Sequence, residues 1–257
     1  MKLLNIDSNA KTVKGQKQGY MTAVLYLAPW KASGLNVCPM AEIAGCIAGC
    51  LNTAGRGGMA PGNATFTAED GQLLPDNAIQ RCRIRRTQFY ARDRAGFMAQ
   101  LVTEIAAFIR KAARRGLVPV VRLNGTSDIR WELIPVQSPA GEWYPSIFEC
   151  FGGVQFYDYT KISNRKVSHL GNYALTFSYS AATAEYTAHV EKALAAGMNI
   201  AAVFRTKNLP ETFLGRAVIC GDETDLRFTD PAGVVVGLYA KGKARKDFSG
   251  FVVDTAA

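Results

Sequence analysis

The residues best equipped for chemistry are three thiols. Cys38, Cys46 and Cys50 bring half of the chain's six cysteines into one block, C-x7-C-x3-C, which closes on Gly55, Gly57 and Gly58. Three local thiolates with no fourth ligand beside them suit a [4Fe–4S] cluster with one open iron, and equally a zinc ion completed by a distant residue. Cys46 and Cys50 are four apart, so a short helix would carry both on one face, with Cys38 folding back from the preceding loop. Two plainer readings stand beside these: cysteines packed among Ala and Gly, or a disulfide pair with a spare thiol. Three neighbouring thiols in a chain without secretory features favour binding over stapling. Cys82, Cys150 and Cys220 have no partner at ligand spacing and are expected to be structural.

A second set of polar residues falls where strands are expected to end. Asn124, Ser127 and Asp128 follow one apolar run, Asp158 and Lys161 another, and Ser178, Arg205, Asp222 and Asp225 come after three more. One such end is explained by loop capping. Five of like character point to a polar ligand site on one face, because parallel sheets gather their chemistry at the carboxyl ends of strands. Asp128 is a candidate general base, with a salt bridge to Arg122 or Arg130 as the structural alternative. Asp158 is a candidate acid/base or nucleophile, and Lys161, the third candidate catalytic residue, is a partner for a carboxylate or phosphate or else a surface lysine. Asn124, Ser127, Ser178, Arg205, Asp222 and Asp225 are candidate cofactor contacts; the two aspartates suit ribose hydroxyls, or simply turns. Of the two histidines, His189 falls within a helical pattern and reads as structural, and His169 lies in a loop.

The elements that must position these groups alternate. Strands are predicted at 21–28, 118–124, 154–159, 173–178, 199–204, 217–220 and 234–240. Helices are predicted at 78–94, 97–115 and 182–196, with a helical turn at 146–151. In the clearest helix Phe97, Leu101, Ile105, Phe108 and Ala112 recur at helical spacing and Gly116 supplies the stop. This alternation predicts a single α/β domain over 1–257, a complete or partial (β/α) barrel with a mainly parallel sheet. Residues 1–18 read as a mobile lead-in or an edge segment. Residues 55–77 read as a long Gly/Pro-rich loop over the functional face.

Composition narrows the classes. With 48% hydrophobic residues over 257 positions the chain can build a substantial core. It has no apolar run of membrane-spanning length and no signal-peptide pattern at its start, so a reducing, cytoplasmic setting without membrane contact is expected. The net charge of +9 is clustered at Arg81–Arg86, Arg110–Arg115 and Lys241–Lys246, which suits phosphates of a nucleotide or a nucleic acid. The Arg110–Arg115 group closes a helix and reads as a solvated, dipole-complementing end. No alternation of aromatic and basic residues marks a nucleic-acid module. Gly-x-Gly-x-x-Gly, a phosphate loop, a nucleophile elbow and His-Glu-x-x-His are all absent.

The block ending Cys50-Leu-Asn-Thr-Ala-Gly-Arg-Gly, the strand Val121-Arg-Leu-Asn124 with Ser127-Asp128, and Phe156-Tyr-Asp-Tyr-Thr-Lys161 resemble a family of phage proteins of the gene-product-88 type. Asn172-Tyr-Ala-Leu-Thr-Phe-Ser178 and Gly221-Asp222 before Asp225-Leu-Arg227 extend the match over most of the chain from about residue 20. Phage origin would place the protein in the host cytoplasm. More distantly the layout is similar to radical S-adenosylmethionine enzymes, partial barrels with three cluster cysteines after the first strand. Their usual spacing is C-x3-C-x2-C with an aromatic before the last cysteine, where this chain has Gly49. That resemblance implies a [4Fe–4S] cluster on Cys38, Cys46 and Cys50, S-adenosylmethionine on its open iron, and a nucleotide or nucleic acid as the group modified. The alternative is a zinc- or cluster-stabilised protein that binds nucleotide or nucleic acid without radical chemistry. A third is a base-exchange barrel enzyme using Asp128 or Asp158.

Overall fold

The computed structural model describes residues 1–7 and 10–254. Its framework is a ten-stranded sheet, and the reason lies in runs such as Tyr20–Leu25, where Met21 to Leu25 are all buried. A strand apolar on both faces belongs inside a parallel sheet with both faces covered. Taken along the chain, β1 (Leu4–Ile6), α1 (Ala10–Gly15) and β2 (Tyr20–Leu25) come first. The long connection after β2 carries a small hairpin of β3 (Thr65–Thr67) and β4 (Leu73–Pro75). Two helices follow, α2 (Ala78–Arg92) and α3 (Arg94–Ala113), then β5 (Val118–Arg122), the minor hairpin β6 (Val136–Gln137) and β7 (Trp143–Tyr144), and α4 (Ile147–Cys150). The second half contains β8 (Gln155–Thr160), β9 (Tyr173–Ser178), α5 (Ala184–Ala195), β10 (Asn199–Phe204), β11 (Thr212–Phe213), β12 (Arg216–Cys220), β13 (Val235–Tyr239) and β14 (Val252–Val253).

The strand order is β1-β2-β5-β8-β9-β10-β13-β12-β11, with β14 attached to β10. All pairings from β2 to β12 are parallel, while β1 and β11 pair antiparallel at the two ends. One edge of β10 is shared. β9 pairs with Asn199–Ala201, and β14 pairs with Val203 and Phe204. The sheet therefore forks at the carboxyl end of β9.

The expected (β/α) barrel is corrected by this arrangement. A barrel closes its last strand on its first, whereas this sheet ends in β1 on one side and β11 on the other, and no pairing joins them among the described residues. The regular helical crossovers are missing too. Residues 161–172 join β8 to β9 without a helix, and among the described residues five α-helices serve fourteen strands. The fold is a mixed α/β open sheet.

The helices form where capping and periodicity agree. Asn77 Oδ1 accepts from Gln80 N at 2.9 Å to start α2, and Asp93 Oδ1 accepts from Gly96 N at 2.8 Å to start α3. Gly116, at φ 63°, turns the chain out of α3. Phe97, Leu101, Ile105, Phe108 and Ala112 make the buried stripe of α3 and pack with Leu25, Val121, Trp131 and Phe156 in the larger core. Each large side chain so buried contributes roughly 1.5–3 kcal/mol. A second core around Phe177, Tyr186, Val190, Ile200 and Phe204 holds α5 against β9 and β10. No described helix is long and apolar enough to cross a membrane. The start of the chain is an edge strand, β1, with Leu3 and Leu4 N–H groups donating to the Glu104 carboxylate of α3; Ser8 and Asn9, within the 1–18 segment read as a lead-in, lie outside the described residues.

Candidate ligand-binding site

The parallel strands place their carboxyl ends on one side, and a cavity of about 520 Å³ opens there, within the usual range for small-molecule sites. Its walls come from residues at or just beyond the ends of β2, β5, β8, β9, β12 and β13 and from the middle of β10. Its roof is the segment after β2. Asp128 N donates to Val37 O at 2.8 Å, Ser180 Oγ to Ala44 O at 2.7 Å, and Thr183 Oγ1 to Ile43 O at 2.8 Å. These bonds stretch the roof from the β5 side across to the β9 side.

Residues 38–50 form turns, so Cys46 and Cys50 do not share the expected helix. The cause is Gly45, at φ 62°, a left-handed conformation that ends helical propagation. A Cβ at Gly45 would lie 2.6 Å from Ala182 Cβ and 2.8 Å from Ser249 Oγ, so the close approach also demands glycine.

All three cysteines line the cavity, but their sulfurs are committed to backbone groups. Cys38 Sγ donates to Thr126 O at 3.7 Å, Cys46 Sγ to Ala41 O at 3.6 Å, and Cys50 Sγ accepts from Asn52 N at 3.5 Å. Burial pushes every one of these thiols up, Cys50 to about 11, which favours the neutral form over the thiolate a metal requires. Among the described residues no group of three or more His, Cys, Asp or Glu side chains is placed to hold a metal ion. The expected [4Fe–4S] cluster on Cys38, Cys46 and Cys50, the S-adenosylmethionine bound to it, and the zinc alternative are corrected by this geometry.

The polar strand ends divide into those facing the cavity and those locked beneath it. Asn124, Ser127, Asp128, Lys161, Ser178 and Asp222 line the cavity; Asp158, Asp225 and Arg205 do not. Asn124 is largely consumed by its own loop. Its Oδ1 accepts from Ser127 Oγ, Ile129 N and Trp131 Nε1 at 2.9–3.0 Å. Asp128 is held equally firmly: Oδ1 accepts from Thr160 Oγ1 at 2.9 Å, Oδ2 from Lys161 N at 2.7 Å, and the Arg165 guanidinium lies 3.4 Å away. Burial raises its pKa against the pull of Arg165 and these hydrogen bonds.

Asp158 lies fully buried behind Asn124, accepting from Asn124 N at 2.7 Å and from Tyr173 Oη at 3.1 Å, and burial raises it to about 7. Asp225 pairs with Arg122 at 3.0 Å, both buried. Asp222 accepts from Lys241 Nζ at 2.6 Å and Tyr239 N at 2.8 Å. Arg205 lies outside the cavity, bonded to Asp254 and to the carbonyls of Arg245 and Asp247.

Lys161 stands apart. Its Nζ donates to Ser178 Oγ at 2.6 Å and lies 4.8 Å from the Phe251 ring centre, and among the described residues no carboxylate is within ion-pair distance of it. An ammonium has three donors, so Lys161 keeps donors for a ligand; the Asp128 carboxylate feels its charge but is taken up by Thr160, Arg165 and the Lys161 N–H and does not pair with Nζ.

Several cavity residues were not singled out in the sequence. Trp30 lines the wall at φ 46°, a left-handed conformation rarely adopted by a bulky residue. Tyr239 and Phe251 complete the wall, together with Arg122, which the sequence offered only as a salt-bridge partner for Asp128. For Trp30 and Tyr239 the only sequence signal was position: Pro29-Trp30 follows the first long strand, and Tyr239 ends another.

A family model described as Gene product 88 matches residues 1–255. The chain belongs to the gene product 88 family. This agrees with the phage-protein resemblance carried by the Cys50–Gly57, Val121–Asp128 and Phe156–Lys161 motifs. No curated protein and no solved structure matches the chain. The likeness to radical S-adenosylmethionine enzymes is not carried by these comparisons, and the open sheet and the thiol geometry speak against its barrel and its cluster.

Proposed function

We propose that this gene product 88 family member binds a nucleotide-like small molecule, a planar apolar body carrying an anionic group, in the cavity at the carboxyl ends of its strands. The observation that carries the reading is Lys161, an ammonium on the wall of a largely apolar cavity with a serine hydroxyl as its hydrogen-bond partner and, among the described residues, no carboxylate within ion-pair distance of its Nζ. Burying a cation without a counter-charge is costly, and an anionic ligand removes that cost on binding. Trp30, Leu74, Leu238 and Phe251 offer apolar surface for a planar ring. Ser127 and Gln72 offer hydrogen bonds to a polar edge.

The test is calorimetric titration with the common nucleoside monophosphates and with the corresponding nucleosides. Saturable binding of at least one monophosphate, tenfold or more weaker for its nucleoside, is the expected result. Equal affinity for nucleoside and monophosphate, or no binding by any of them, would overturn the reading.

A further inference from the structure

One rim of the cavity differs from the rest. The turn Gly242–Lys246 (GKARK) is pinned to the cavity wall by buried Ala244, with Phe251 beside it on the same wall; Lys243 borders the cavity, and Arg245 and Lys246 lie outside it. Lys243, Arg245 and Lys246 are exposed. Lys243 and Lys246 have no carboxylate within ion-pair distance among the described residues. Phe248, two residues on, is 80% exposed, which is unusual for a phenylalanine held in an ordered segment.

Phe248 is also not alone. The Arg205 guanidinium lies 4.3 Å from its ring centre, and Tyr239 on the cavity wall is flanked by Lys207 at 5.5 Å and Arg245 at 5.4 Å. Folding thus interleaves aromatic rings with cations, although no such alternation is visible along the chain. Gly250 sets the path of this segment. At φ 99° it passes so close to Ala181 that a Cβ would lie 2.9 Å from that residue's carbonyl.

We propose that this lip holds a single-stranded nucleic acid, so that the nucleotide in the cavity is one unit of a strand and not a free metabolite. The inference rests on the nucleotide reading of the cavity and deepens it. Rings on which bases stack, set among cations that meet phosphates, are what a strand requires without regard to its sequence. Phe248 and Tyr239 offer the rings, while Lys243, Lys246 and Arg245 offer the charge. A duplex hides its base faces and cannot use Phe248, and an acidic polypeptide would use the charge but has no bases to stack.

Fluorescence anisotropy decides it, using the intact chain, a labelled mixed-sequence single-stranded DNA and RNA of about 15 nucleotides, the same DNA as a duplex, and polyglutamate. At low salt at least one single strand is expected to bind tenfold or more tighter than any monophosphate and tighter than the duplex or polyglutamate. Phe248→Ala should weaken the single strand about fivefold or more and leave monophosphate binding unchanged, since Phe248 is not on the cavity wall. Lys246→Gln should reduce the slope of log affinity against log salt by about 0.7. Monophosphate binding with no tighter strand binding would overturn this inference and leave the nucleotide reading standing. Loss of both would overturn both. Strand binding insensitive to Phe248→Ala, or matched by duplex or polyglutamate, would leave only a non-specific basic surface and overturn the lip.

Discussion

Lys161 and Ser178 meet across the ends of two neighbouring parallel strands, Nζ to Oγ at 2.6 Å. β8 pairs with β9 in a register that sets Thr160 opposite Phe177, so the next residue on each strand reaches the sheet end together. Beyond that point β9 parts from β10, β14 takes its place, and the space left is the cavity. The contact between the two side chains is thus a product of register, and the partly buried ammonium on the cavity wall is its consequence.

Replacement of Lys161 tests that charge directly. Lys161→Met keeps an unbranched side chain one atom shorter and removes the cation. Monophosphate affinity should fall tenfold or more, while the denaturation midpoint of the free protein stays level or rises, because a partly buried cation has been removed. A variant that binds as well as the wild type would assign anion recognition to Arg122 or Lys241 instead.

Trp30 provides an optical readout. Of the three tryptophans it alone lines the cavity; Trp131 is fully buried and Trp143 is 70% exposed. Ligand binding should quench or shift part of the intrinsic emission. Trp30→Phe should abolish that change and leave the contributions of the other two intact. A signal that survives in Trp30→Phe would place the ligand elsewhere.

Much of the frame was legible in the sequence, for identifiable reasons. The strand at 199–204 and the stripe of α3 were readable because apolar spacing matches the period of the element. The gathering of polar strand ends was readable because parallel strands share a direction. What the sequence hid was non-local. Whether a row of parallel strands closes depends on twist and edge pairing, and β1 and β11, which end the row, are three and two residues long. The cysteine block read as a ligand set because spacing in sequence was taken for spacing in space; Gly45 breaks the helix, and each sulfur turns to a backbone group instead. Asp158 looked like an acid/base or nucleophile and Asp225 like a cofactor contact, but each is held by the end of β5, Asp158 by Asn124 N–H just past it and Asp225 by Arg122.

Thiol reactivity should follow burial. Cys220 is exposed, whereas Cys38, Cys46 and Cys50 are pushed up by desolvation. With Cys50 at about 11, on the order of one molecule in 10³ carries its thiolate at pH 8. Titration of the native protein with an aromatic disulfide reagent at pH 8 should show a fast phase that Cys220→Ser removes. The cavity thiols should react tenfold or more slowly, and a fast phase lost in Cys50→Ser would contradict this.

Arg165 joins two buried acids, Asp128 at 3.4 Å and Glu132 at 2.5 Å, with 1% of its own side chain exposed. Arg165→Leu strands both carboxylates and should lower stability by about 3–5 kcal/mol in urea denaturation at pH 7. Adding Glu132→Gln removes one of the stranded charges and should restore part of the loss. Strict additivity of the two substitutions would show that the pair is not coupled.

Asp158 gives the protein a predictable pH dependence. Its pKa is about 7 in the folded protein against 3.8 for an unperturbed aspartate, because full burial outweighs the pull of Arg122, Asn124 N–H, Arg165 and Tyr173 Oη. Between those pH values the folded state keeps a proton that the unfolded chain has released. Unfolding then releases a proton, so stability falls as pH rises from about 4 to about 7 and levels off above. Asp128, also raised by burial, acts in the same direction. At about 1.36 kcal/mol per pKa unit the Asp158 contribution is on the order of a few kcal/mol. Asp158→Asn keeps an acceptor for Asn124 N–H and removes the charge. Its urea midpoint should match the wild type near pH 4 and exceed it near pH 8, with the slope between pH 4 and 7 reduced. A wild-type midpoint that is flat or rises across that window, with no gain in Asp158→Asn at pH 8, would mean that the carboxylate is ionised throughout and that Arg122 and Arg165 govern it after all.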